Sequence, residues 1–170
     1  MKKYGCFVGK FLPPHIGHLS VIDKALQECE KVLVVLAEAP EKSKAICKQD
    51  NFPYFPPSKR LEWLKKHYKN YSNIKFVFFD ESPVQPFDMK KWSQEFKRMI
   101  KENITAKYGD ESYRTLNELY FPECEFVTID RDKINIHGTD IRRNKNLIKY
   151  MVKEGQEDVL NKIKGENENE

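Results

Sequence analysis

Four short apolar runs constrain this chain more than any other feature. They lie at residues 4–8 (YGCFV), 31–36 (KVLVVL), 74–79 (IKFVFF) and 125–129 (EFVTI). Each is nearly continuous rather than alternating, the pattern of parallel strands covered on both faces. A weaker fifth run spans residues 104–108. Between the runs, apolar residues recur at helical spacing: Leu19, Ile22, Leu26 and Cys29; Leu61, Leu64, Tyr68 and Tyr71; Met89, Trp92, Phe96 and Met99; Tyr113, Leu116 and Tyr120. Strand alternating with helix predicts an α/β protein, a Rossmann-like open parallel sheet with helices on both faces. At 170 residues the chain fits one domain with a real core. That domain is expected over residues 1–164, with 165–170 (GENENE) as a disordered acidic tail.

Composition excludes several classes. No apolar stretch approaches the roughly 20 residues that span a bilayer, and Lys10 interrupts the N-terminal run too early for a signal peptide. A cytoplasmic protein without membrane partners is expected. The net charge of +4 arises from 30 basic and 26 acidic residues spread along the chain, too mild for a nucleic-acid binder. The four cysteines form no C-x-x-C pair, so neither a zinc site nor a disulfide framework is predicted. Oligomeric state, a homo-oligomer included, stays open. Residues 38–57 carry four prolines and several lysines and read as a long loop at the ligand-binding edge of the sheet, either a lid or a partly disordered segment.

Two of the chain's four histidines, His15 and His18, flank Gly17 just where a helix should begin after the first strand. In an open α/β sheet that turn faces the ligand crevice, and the helix's unpaired N–H groups favour an anion, most often phosphate. The stretch is not a Walker loop: three residues separate Gly5 from Gly9, and Phe11 stands where Ser or Thr would hold magnesium. What remains is Lys10 with His15-x-Gly17-His18. Gly17 lets two imidazoles close on one group, and two such donors can stabilise charge that develops during phosphoryl or nucleotidyl transfer. The plainer reading is a helix cap and a surface residue. No third ligand suggests a metal site, and Lys10 would repel a cation.

The residues PPHIGH resemble the H-x-G-H motif of the nucleotidyltransferase superfamily, and IHGTDIR, residues 136–142, resembles its second motif, I-S-x-T-x-I-R. The second motif also reads on its own terms. Gly138 and Thr139 can open a helix facing phosphate, and Arg142 lies one turn in, where its fork can clamp pyrophosphate. His137 departs from the family's Ser. Within the superfamily, GKFLPPHIGH, KRLEWL and KKWSQEFK, with Tyr113 and VTIDRDKINIHGTDIR, are most similar to the NMN adenylyltransferase domain of bifunctional NMN adenylyltransferase/ribosylnicotinamide kinases. Lys133 stands where that family tends to have Arg, and the kinase domain has no counterpart in the sequence.

The resemblance implies that ATP and NMN give NAD and pyrophosphate, with Mg2+ held mainly by ATP's phosphates. It implies that His15, His18, Thr139 and Arg142 hold those phosphates, that Lys10 lies beside them, and that Gly9, Phe11, Gly17 and Gly138 bring backbone close to the nucleotide. Trp92 either stacks on a nicotinamide ring or belongs to the core stripe with Met89 and Phe96. Arg60 and Asp80 are candidates for NMN contact, against a surface helix residue and a strand-end turn. Asp130 and Asp132 can touch ribose or cap a turn. Two rivals remain: a cytidylyltransferase or related enzyme of the same fold with another acceptor, and a non-catalytic nucleotide sensor.

Overall fold

The computed structural model describes residues 3–129 and 135–168. Five strands form one parallel sheet in the order β3-β2-β1-β4-β5. They are β1 (Tyr4–Gly9), β2 (Lys31–Glu38), β3 (Ile74–Asp80), β4 (Ala106–Gly109) and β5 (Glu125–Thr128). Every neighbouring pair is parallel, with Gly9 opposite Leu36 at one junction and Glu38 opposite Asp80 at the next. The weak fifth run is thus the strand beside β1.

The near-continuous apolar runs follow from double coverage. On one face, α1 (Ile16–Glu28) and α3 (Pro57–His67) pack Val21, Ile22, Leu61 and Leu64 on Phe7, Val34 and Leu36. On the other, α4 (Met89–Met99) and α5 (Arg114–Tyr120) cover Cys6, Leu33 and Val35. The chain leaves β1 towards β2 and β3, then returns to place β4 on β1's other side. The switch point therefore lies between β1 and β4, where open α/β sheets bind ligands.

Three expectations are corrected. Residues 38–57 are not a long loop: α2 (Pro40–Gln49) occupies half of them. Pro40 sits in the first turn, where its missing N–H costs nothing, Glu41 and Lys48 complement the helix dipole, and the residues between are mostly fair helix formers. Pro56 and Pro57 likewise introduce α3 rather than a loop. The expected tail is also partly helical, since α7 runs Lys153–Glu168 through Gly165; extending a formed helix adds one bond per residue fixed.

The third correction is Trp92. It is 5% exposed and stacks on Phe96 at 4.9 Å and 17°, with Phe79 and Phe121 edge-on. The core stripe, not a ligand ring, claims its face. Trp92→Ala is therefore expected to cost about 3–5 kcal/mol of stability through the cavity it opens. A denaturant melt checks this, and an unchanged midpoint would return Trp92 to the surface.

The C-terminal segment ties the two motifs to one platform. After α6 (Gly138–Arg143) and a 3-10 turn (Lys145–Tyr150), Met151 bridges to His15 and the Val152 N–H donates to the Pro14 carbonyl at 2.9 Å. α7 then packs on α3, where Gly155 lies so close to Trp63 that an added Cβ would sit 2.5 Å from its ring.

Candidate active site

The turn from β1 to α1 carries the first motif. His15 is the N-cap of α1 in extended backbone, and it exchanges bonds with the residue three further on. The Gly17 N–H donates to His15 Nδ1 at 3.1 Å, and the His15 N–H donates to His18 Nδ1 at 3.1 Å. This is a capping box in which two imidazoles replace the usual Ser/Thr and Glu. Because each Nδ1 accepts, each neutral ring carries its proton on Nε2. The rings lie 3.8 Å apart by centroid, and the wholly buried Phe11 packs edge-on against His18 at 4.6 Å.

Gly17 is needed for this. A Cβ there would stand 2.8 Å from His15 Cε1. The expectation that glycine makes room for the imidazoles thus takes a specific form: His15 folds back over Gly17. Gly9 is close-packed in the same way, with an added Cβ 3.2 Å from the Phe11 ring.

The second motif docks onto the first. Gly138 opens α6 with its α-carbon against the Leu12 carbonyl, which a Cβ would meet at 2.8 Å. Arg142, one turn in, donates from Nη1 to that carbonyl at 2.7 Å, from Nη2 to Thr139 Oγ1 at 3.2 Å, and from Nε to Asp50 Oδ2 at 2.8 Å. The guanidinium is thereby fixed, with one N–H on each terminal nitrogen not taken up among the described residues. Asp50 also takes Arg143, and the bond from Arg142 holds its carboxyl below the usual range. His137 is the N-cap of α6, its N–H donating to Asp140 Oδ2 at 3.1 Å, so the place of the family's Ser is a capping position here.

Arg60 is neither a surface residue nor an exposed ligand contact. It is 1% exposed and paired with Glu38, itself fully buried. Its other donors reach the carbonyls of Phe11 (3.0 Å), Lys10 (3.0 Å) and Phe55 (2.7 Å). The Tyr54 hydroxyl donates to Glu38 at 2.6 Å, and burial with that bond pushes its pKa to about 12. Arg60 thus holds the turn after β1, where Phe11 adopts φ 49°, a conformation costly for a bulky residue. The Phe11 carbonyl is spent on Arg60 and its ring on the core. Lys10 keeps an exposed side chain above the anchored backbone.

Asp80 accepts the Ser82 N–H at 2.9 Å, the strand-end turn reading rather than a demonstrated ligand contact. Asp130, Asp132 and Lys133 lie outside the described residues. Beside α6 a cavity of about 710 Å³ is walled by Ile16, Ile136, Leu147 and Tyr150, with Thr139 and Asn144 at its polar side. Sequence reasoning missed Glu38, Asp50 and this wall. Asp50 and Arg142 are 92 residues apart, and no local pattern couples them. Among the described residues no three His, Cys, Asp or Glu side chains converge for a metal, and no helix is long and apolar enough to cross a membrane.

Comparison with known proteins agrees with this geometry. A family model described as cytidylyltransferase-like matches residues 6–144. The trifunctional NAD biosynthesis/regulator protein NadR of Salmonella typhimurium is 26% identical over 151 residues, covering 84% of this chain and 37% of NadR. The phosphopantetheine adenylyltransferase of Aquifex aeolicus is 28% identical over 142 residues, covering 84% of this chain and 82% of that enzyme. A crystal structure of NadR protein in complex with NAD and AMP-PNP superposes with a TM-score of 0.68 at 23% identity, covering 91% of this chain and 46% of that one. The chain thus spans less than half the length of the NadR proteins it matches.

Proposed function

We propose, since the chain belongs to the cytidylyltransferase-like family of nucleotidyltransferases, that it transfers AMP from ATP to NMN, giving NAD and pyrophosphate. The observation that carries the reading is the reciprocal cap of His15 and His18, which fixes both Nε2 atoms as donors on the platform that holds Thr139 and Arg142. Likeness along 84% of this chain to NadR, named for NAD biosynthesis, and along 82% to a nicotinamide/nicotinic acid mononucleotide adenylyltransferase of Acinetobacter baylyi supports a pyridine mononucleotide as the acceptor.

The chemistry follows from the donors. An oxygen of the NMN phosphate, already an anion at neutral pH, attacks the α-phosphorus of ATP. The bond from that phosphorus to the bridging oxygen breaks in line, and pyrophosphate leaves with the electron pair. No strong general base is required. The imidazole N–H groups face charge that grows on the phosphoryl oxygens, and the spare N–H groups of Arg142 take the departing pyrophosphate. The cavity beside α6 suits the adenine base, with Ile16 and Ile136 as apolar walls and Thr139 towards the phosphates. Magnesium would arrive on the triphosphate, held mainly by its oxygens; when bound it neutralises phosphate charge.

The test is pyrophosphate release, crossing ATP and CTP with NMN, nicotinate mononucleotide, phosphopantetheine and FMN. Release with ATP and NMN, with NAD recovered, is the expected result. Release only with phosphopantetheine, or only with CTP, would replace the acceptor or the donor. No release with any pair, despite nucleotide binding, would favour a sensor.

A further inference from the structure

Past the end of β3, Glu81 is held more firmly than a loop acid needs to be. Its N–H donates to the Glu38 carbonyl at 2.9 Å, extending the ladder with β2, and its own carbonyl accepts the Val84 N–H at 3.0 Å. Oε2 accepts the Trp92 indole N–H at 2.6 Å. Oε1 has no hydrogen-bond partner among the described residues. The side chain is half-buried, and burial raises its pKa. Lys10, Lys42 and Glu38 are the other charges that act on it, so it lies where the ends of β1, β2 and β3 meet, among residues of the β1 turn.

The cavity beside α6 lies against Ile16 at the start of α1 and against Ile136. Glu81 does not line that cavity; it lies past the ends of β2 and β3, within the influence of Lys10 on the β1 turn, which leaves it to a second ligand at the same turn. We propose that Glu81 sets the choice of acceptor, its open oxygen accepting a carboxamide N–H of NMN while its charge repels the carboxylate of nicotinate mononucleotide. This rests on the proposed pyridine-nucleotide reaction. The two acceptors share a cationic ring and differ only at the carboxamide, so a fixed carboxylate separates them where a neutral pocket would not. The lysines do not reverse this. Both are exposed, where water screens them, and Lys42 Nζ is bonded to Gln85 Oε1 at 2.9 Å. Trp92 thus has a use without leaving the core: its N–H aims the carboxylate.

The test measures kcat/KM for both acceptors at saturating ATP, in the wild type, Glu81→Gln and Glu81→Asp. Gln keeps an oxygen for Trp92, and Asp keeps the charge. The wild type is expected to favour NMN, and Glu81→Gln to lower the NMN-to-nicotinate mononucleotide ratio at least about tenfold. The change should lie in acceptor KM with ATP KM unmoved, and Glu81→Asp should stay near the wild-type ratio. An unchanged ratio in Glu81→Gln would overturn Glu81's role and leave NMN standing. A wild type that favours nicotinate mononucleotide, or does not discriminate, would overturn it without any variant. If neither acceptor is used, the proposed reaction itself has failed, and the screen above identifies that case separately.

Discussion

His18→Ala is expected to lower turnover with ATP and NMN by about 10²–10³-fold while ATP affinity changes little. The reason lies in the cap. His18 Nδ1 accepts the His15 N–H, so on the proposed reaction Nε2–H is the donor turned to the phosphates. A donor aimed at charge that grows only in the transition state affects kcat far more than binding. Alanine also removes half of a capping box, worth about 0.5–2 kcal/mol, so a melt must accompany the kinetics. His18→Asn separates the two effects: its amide oxygen can take the His15 N–H and restore stability, yet it cannot place a donor where Nε2 stands. Turnover in His18→Ala within a few-fold of wild type would reduce the histidine pair to a helix cap.

An effect on stability as large as that of Trp92→Ala is expected at Arg60. Arg60→Met strands the Glu38 carboxylate in the interior with only the Tyr54 hydroxyl, and it strips donors from the carbonyls of Lys10, Phe11 and Phe55. Breaking one side of a buried pair costs about 3–5 kcal/mol, a large part of a typical domain's stability. If the stranded charge dominates, removing it as well should help. Arg60→Met/Glu38→Leu is then expected to be more stable than Arg60→Met alone, in a denaturant titration read as a double-mutant cycle. A double variant no more stable than the single would place the cost in the lost carbonyl bonds. Either way the turn that presents Lys10 and Phe11 should loosen. The ion pair is thus a positioning device more than a source of net stability.

Much of this was legible in residue order. The strands and most helices follow from apolar periodicity, because burial on two faces leaves continuous runs and burial on one stripe leaves a 3.6 spacing. The first motif announced its place because a strand, a glycine and paired histidines at a helix start leave few alternatives. Gly138, Thr139 and Arg142 opened a helix as their order suggested. These are local facts, and local spacing encodes them.

The remainder depends on residues distant in sequence. Trp92 fitted core and ligand equally until Phe96, Phe79 and Phe121 closed around it. Arg60 read as an NMN contact or a surface residue because a charged side chain on a helix is usually solvated; the burial of Glu38, 22 residues earlier, is what makes an interior guanidinium tolerable. Prolines suggested a loop in residues 38–57, yet Pro40 and Pro57 stand in first turns, where helices accept them. Asp50 and Arg142, and Glu81 with Trp92, were invisible as pairs. The sequence determined the alternation of elements and the site of the histidine pair, since neighbours along the chain set both. Tertiary structure alone decided which polar side chains are buried and what each one aims, because the cost of burying a charge depends on partners that folding brings from elsewhere.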